Sequence, residues 1–189
     1  MKERDGRLAL FMLLGRTVEQ LVEENPQTVP AESLNISETV DLAVGSPGEV
    51  RNAIRAAFVY KLFFVFENYL RELVLSVLTE AYKAEWWDKI DEGTKNYVTE
   101  LKEKEETKQW MALAPRDQLA LVTYPQLLAI MEFCWKDVFE PVVRDKQLIS
   151  EARRVGHLRN AICHMTDIPD EEVERVKQLL RDWFRIVPF

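Results

Sequence analysis

From Glu49 the apolar residues recur at helical spacing for about 35 residues, as far as Tyr82; at ~1.5 Å per residue that is about 50 Å of helix. A rod of that length in a chain of 189 residues has to be built around. It is apolar on more than one face, around Phe58, Leu62, Phe63, Phe66, Leu70, Leu73 and Val77, which predicts a central helix covered by others. Six glycines and eight prolines are too few for a Gly-rich β protein, and no stretch shows convincing β alternation. The expectation is an all-α helical bundle of five to six helices around one long central helix.

The remaining segments fit that plan. Residues 7–24 repeat Leu8, Phe11, Met12, Val18, Leu21 and Val22 at helical spacing, and Asn25-Pro26 stops the helix. Residues 25–48, with Pro26, Pro30 and Pro47 among Ser and Asn, read as a long loop holding one short helical turn, closed by Gly45-Ser46-Pro47-Gly48. Residues 1–48 are therefore expected to form an N-terminal extension and residues 49–189 the helical domain. After Trp86-Trp87-Asp88, residues 88–109 are heavily charged, as in a solvated helix. A loop is expected around Ala114-Pro115-Arg116, a short helix from Tyr124-Pro125 through Trp135, another over 145–165, a turn over Asp167 to Asp170 and a last helix from about Glu171 to Ile186.

Composition excludes some functions. A formal charge of −7 rules out a uniformly basic nucleic-acid surface, though not a local basic patch. Cys134 and Cys163 lie far apart and form no CxxC, which reads as two buried, reduced thiols in a cytoplasmic protein. The N-terminus MKERDGR lacks a signal-peptide pattern, and the apolar run Ala56 to Phe66 is too short to span a bilayer, so no membrane role is expected. HExxH, Cys/His clusters, carboxylate loops with metal spacing, Walker loops and GxGxxG are all missing, so neither a metal nor a cofactor is expected.

What chemistry there is lies in Leu158-Arg159-Asn160-Ala161-Ile162-Cys163-His164. On a helical wheel at ~100° per residue, Leu148, Val155, Leu158, Ile162 and Met165 share one ~100° arc, the expected core face. Arg153, His157, Asn160 and His164 fall within ~60° on the other side, and both histidines of the chain lie in that stripe. Such a stripe can meet an anion, or simply be a solvated face. Arg159 stands ~140° from His164 on an ideal helix. Either the helix frays before His164, or the arginine wraps round, or two chains combine; Arg159 could also pair with Glu151 or Asp167. His157 lies two turns before His164, ~10 Å along the axis, which is far for joint action on one phosphate. Glu67-Asn68, inside the apolar helix, need polar partners if buried, in structural capping or as substrate contacts.

RNA cleavage by attack of the 2′-hydroxyl on its own phosphate needs a proton acceptor, a proton donor and positive charge for the transition state. An imidazole near neutral pH can move the proton, an arginine fork can hold non-bridging phosphate oxygens, and Asn160 can position them. One histidine is short of an acid–base pair, and a two-fold dimer would supply the second.

At this point the chain resembles the HEPN superfamily, whose diagnostic motif is Arg, four to six residues, then His, often with Asn after the Arg. Arg159, Asn160 and His164 match it. The resemblance extends to the branch that includes the C-terminal domain of a yeast nuclear endoribonuclease and prokaryotic defence-associated homologues. It rests there on Phe66-Glu67-Asn68-Tyr69-Leu70-Arg71, Trp86-Trp87, Tyr124, Trp135 and the Arg159-Asn160…His164 helix, over about residues 55–187. Cys163 replaces the commoner Ala or Gly, with an effect expected on packing only. The resemblance implies a bundle that dimerises with its motif helices facing each other, and a metal-independent endoribonuclease of defence or toxin–antitoxin type. In that reading Arg159, Asn160 and His164 are catalytic, and Arg153, His157, Glu67 and Asn68 contact substrate. RNA, a second copy and an antitoxin or defence-system protein would be the partners. The alternative is a non-catalytic module that dimerises or binds RNA or nucleotide within a larger assembly.

Overall fold

The structure is a computed structural model, in which residues 33–106 and 117–187 are described. The expected helix over 7–24 and the loop around Ala114-Pro115-Arg116 lie outside those residues. The chain divides into two compact units, one up to Arg55 and one from Ala56 on.

In the first unit, β1 (Asn35–Ser37) pairs antiparallel with β2 (Val40–Asp41), and α1 (Leu42–Gly45) follows. The Asp41 carboxylate organises this small hairpin, accepting from Leu34 N–H, Ser33 Oγ–H and Ala43 N–H at 2.8–2.9 Å. Those hydrogen bonds hold its carboxyl below the ordinary range, the Leu34 amide contributing most. The short helical turn was expected in this segment and the strands were not, because strands of three and two residues leave no alternation to read.

Helix α2 (Pro47–Tyr82) begins in the first unit and runs 36 residues, about 54 Å. From Ala56 on it carries one fully buried stripe: Val59, Phe63, Phe66, Leu70, Val74 and Leu78. Leu62, Leu73 and Val77 are partly buried beside it, while Phe58 is exposed and lies under the Lys177 ammonium, 5.4 Å from its ring centroid. Among the described residues, cover is thus one-sided. Of the residues expected on the covered faces, Phe58 is the exposed one, and Tyr60, Phe64 and Val65 are open as well.

A 3₁₀ segment (Lys83–Lys89) carrying Trp86 and Trp87 leads to α3 (Glu92–Glu106). Asp91 caps that helix through Thr94 N–H (2.8 Å) and Thr94 Oγ–H (2.9 Å). As its charge predicts, α3 is mostly exposed, with Thr94 and Val98 facing inward. Helix α4 (Tyr124–Phe133) starts at Thr123, whose N–H and hydroxyl both donate to Gln126 Oε1 at 2.8 Å. It stops two residues short of Trp135, where a π turn (Trp135–Phe139) intervenes before α5 (Glu140–Val143). Pro141 has no N–H to give the Asp137 carbonyl, so the regular ladder cannot run on.

Helix α6 (Lys146–Cys163) is capped by Asp145, which accepts from Gln147 N–H at 2.8 Å, and packs between α4 and α7 (Asp170–Ile186). Its buried face holds Leu148, Ile149, Ala152, Val155 and Ile162, with Leu158 half-buried. Met165, expected on that face, is 92% exposed. The helix has already ended there. His164 is the C-cap, Thr166 N–H bonds Ala161 O at 3.0 Å, Met165 N–H bonds Ile162 O at 2.9 Å, and Met165 takes φ 59°. This is a Schellman ending with methionine where glycine is preferred. Met165→Gly is therefore expected to stabilise the protein by about 1 kcal/mol, read as a higher urea midpoint at unchanged slope. Helix α7 begins with Asp170, Glu171 and Glu172 at its positive end, one residue earlier than expected.

The core centres on Phe66, whose ring lies 5.2 Å from Trp183, 6.1 Å from Tyr124 and 6.3 Å from Phe184. Tyr124 is fully buried and its hydroxyl donates to Ala152 O at 2.7 Å, tying α4 to α6; burial, then the Glu67 charge, pushes its pKa up. Tyr69 donates to Val187 O at 3.0 Å, tying α2 to the end of α7, and burial raises its pKa too.

Only one of the two cysteines is buried as expected. Cys134 is buried, with Sγ 3.6 Å from Lys89 O, and burial, then Asp137 and Asp91, push its thiol up to about 11. Cys163 is exposed, because the last residue of α6 faces the cleft described below and not the core. For Cys134 the folded-state pKa exceeds the unfolded value near 9. Its contribution to stability is complete below pH 9 and declines as pH rises towards 11, by roughly 2–3 kcal/mol in all. Urea titrations between pH 9 and 10 are expected to show this decline in the wild type and a flatter profile in Cys134→Ala.

Candidate functional site

Glu67, Asn68 and Arg71 lie within one turn of α2, below the exposed rings of Tyr60 and Phe64. Arg71 is the anchor. Its Nε donates to Leu119 O and its Nη2 to Val122 O, both at 3.2 Å, so it holds the chain that enters α4. Nη2 also reaches Glu67 Oε1 at 3.1 Å, and Nη1 donates to Asn68 Oδ1 at 2.7 Å. Asn68 Nδ2 donates back to Phe64 O at 2.8 Å. Without Arg71, Leu119 O would keep the Val122 N–H at 3.1 Å, but the Val122 carbonyl would lose its Arg71 donor inside a buried segment, at about 1–3 kcal/mol for an unsatisfied group.

Arg159 approaches this network from α6. Its Nε lies 3.4 Å from Glu67 Oε2. Glu67 thus stands between two guanidinium groups, with its own side chain 15% exposed and that of Arg159 29% exposed. Among the described residues Arg159 makes no hydrogen bond, so its fork keeps donors to spare. The carboxylate partner is neither Glu151, which pairs with Arg154 at 3.2 Å, nor Asp167, whose Oδ1 accepts from Ile168 N–H. A residue 92 positions upstream in the sequence could not be chosen from local spacing. Arg71 was legible only as part of the Phe66-to-Arg71 run; its i,i+4 spacing from Glu67 is the signal that marks it as that carboxylate's partner.

Of the clefts along α6, two take in residues of the Arg159–Cys163 segment. The first, about 210 Å³, is lined by Tyr60, Phe63, Phe64, Glu67, Asn68 and Arg71 from α2 and by Arg159, Ile162 and Cys163 from α6. Cys163 forms part of its wall. The second, about 160 Å³, is lined by Arg153, Gly156, His157 and Asn160 together with Tyr124, Pro125 and Leu128. There Arg153 pairs with Glu132 of α4. His157, Asn160 and Arg153 therefore share one groove, as the wheel places them, and Arg159 lies in the other.

His164 lines neither cleft and is exposed. Its backbone N–H still bonds Asn160 O and Ala161 O at 3.1 Å, but with φ −95° and ψ 15° it has left helical geometry. The helix runs regularly through Cys163 and ends at His164, so within one chain Arg159 and His164 stay on different sides of α6. Among the described residues no group of three His, Cys, Asp or Glu side chains is placed to hold a metal ion, and no helix is long and apolar enough to cross a membrane.

Comparison with curated proteins and with solved structures found no match. A comparison with family models did. The model described as Swt1-like HEPN matches residues 61–188, which takes in Glu67, Arg71, Arg159, Asn160 and His164. With two thirds of its length matched, from the middle of α2 to beyond α7, the chain belongs to the Swt1-like HEPN family.

Proposed function

We propose that the protein is a metal-independent endoribonuclease of defence or toxin type, acting in the cytoplasm as a two-fold dimer. A HEPN domain is an RNase or RNA-binding module, and this chain carries the complete Arg-Asn-x3-His motif. The observation that carries the reading is Arg159, oriented by Glu67 in an open cleft with guanidinium donors left over. In the reaction the 2′-oxygen attacks the adjacent phosphorus and the bond to the 5′-oxygen breaks. A base takes the 2′-hydroxyl proton and an acid protonates the departing 5′-oxygen, leaving a 2′,3′-cyclic phosphate and a 5′-hydroxyl. His164 serves as one of these groups and His164 of a second copy as the other. Arg159 stabilises the charge on the non-bridging oxygens, and Asn160 positions the strand. Arg153 and His157, in the second groove, hold flanking phosphate. An antitoxin or defence-system protein would be the natural partner.

The test is cleavage of RNA by purified protein in EDTA with product ends mapped. Cyclic phosphate ends support the mechanism, and strict dependence on Mg²⁺ overturns it. The second reading is a non-catalytic module that dimerises or binds RNA or nucleotide. It is favoured by one observation, that His164 lines neither cleft within one chain.

A further inference from the structure

We propose that the cleft beside Arg159 takes one unpaired RNA base, stacked on Tyr60 and Phe64, with the neighbouring phosphate on Arg159. This deepens the nuclease reading and rests on it for the identity of the ligand as RNA. Tyr60 and Phe64 are 51% and 57% exposed, four residues apart on one face of α2. Their ring centroids lie 6.1 Å apart with a 37° tilt, so the pair offers an open aromatic surface and does not bury itself. Both rings line the cleft that holds Arg159. Large exposed rings keep an unfavourable contact with water that a flat π-face relieves, and base–aromatic stacking contributes in this way whatever the base.

The polar groups narrow the choice of ligand. Glu67 is engaged by two guanidiniums, Asn68 both accepts from Arg71 and donates to Phe64 O, and Arg71 is spent on carbonyls. These groups are thus committed first to one another and to backbone carbonyls, whereas among the described residues the aromatic pair is committed to nothing. Arg159 does have donors, and the cleft holds two guanidiniums against one carboxylate, so its excess charge is positive in a chain of net −7. A ligand with one flat apolar part and one anionic part fits that arrangement. At about 210 Å³ the cleft is below the ~300–1,000 Å³ of pockets that enclose a drug-sized ligand, which suits a base presented on a strand better than a free nucleotide swallowed whole. In an RNA duplex the base faces are stacked and out of reach of these rings, so the site selects single strands with little sequence preference.

The experiment measures binding of a fluorescein-labelled 2′-O-methyl oligoadenylate, which cannot be cleaved, to the full chain by anisotropy. Tyr60→Ala and Phe64→Ala are each expected to weaken binding about 5- to 100-fold, and Phe64→Trp to retain it. The same oligonucleotide in a duplex should bind no better than the single strand binds to Phe64→Ala. Because only one or two phosphates are held, log K against log salt should have a slope of about −0.7 to −1.4. Wild-type affinity in Phe64→Ala, equal affinity for duplex, or no binding by the wild type overturns the proposal. So does loss of self-association in Phe64→Ala with RNA binding intact, since the rings would then cover a second copy. Cleavage of unmodified RNA is followed in parallel. If Phe64→Ala cleaves with unchanged kcat/KM, the nuclease stands and the stacking site falls. If the wild type binds through Phe64 but does not cleave, the stacking site stands and the nuclease falls.

Discussion

His164→Ala is expected to lower metal-free RNA cleavage by about 10²–10⁴-fold, the range that a positioned acid or base contributes. Its stability should be nearly that of the wild type. The His164 side chain is exposed, and its part in ending α6 is played by its backbone N–H, which alanine keeps. Melting curves and cleavage rates measured on the same preparations therefore separate chemistry from folding. Arg159→Ala removes the charge proposed to face the phosphate and should lose activity on a similar scale, while also leaving Glu67 with Arg71 as its remaining partner. Cleavage by His164→Ala equal to that of the wild type, in EDTA and with cyclic phosphate ends, would take His164 out of the reaction.

Phe66→Ala is expected to destabilise the protein by about 3–5 kcal/mol, the range for removing a fully buried aromatic side chain. Phe66 lies on the buried stripe of α2 and touches the rings of α4 and α7 at once, through Tyr124, Trp183 and Phe184. Those neighbours are held by other contacts, Tyr124 by Ala152 O and Phe184 by the Tyr69 ring at 4.9 Å, so they cannot collapse into the space. A fall in Tm of about 6–20 °C by calorimetry is the corresponding reading for a domain of this size. A loss under 1 kcal/mol would mean that the three helices are not joined at this residue.

The helices were legible because their signals are local. The periodicity from Glu49 to Tyr82, Tyr124-Pro125 at the start of α4 and the acidic run at Asp170 each act within a few residues, and α2, α4 and α7 begin within two residues of the expected positions. Endings were harder to read. Met165 fits the wheel of α6 perfectly, yet the helix closes before it through a left-handed turn that a methionine does not advertise. The strands over Asn35–Ser37 and Val40–Asp41 are too short to alternate. In the site, the wheel grouped Arg153, His157, Asn160 and His164; the first three share a groove, and His164, past the end of the helix, does not line it. It also set Arg159 apart without saying towards what.

By itself, the order of residues determined an all-α chain with one long helix and a complete Arg-Asn-x3-His motif, since periodicity and motif spacing are properties of neighbouring residues. Tertiary structure alone decided that Glu67 orients Arg159, that Arg71 binds Glu67 to the start of α4, and that Tyr60 and Phe64 open beside them. The physical reason is distance along the chain. Residues 67 and 159 meet because α2 and α6 bury their apolar stripes in one core, and that packing sets which polar faces end up opposite each other.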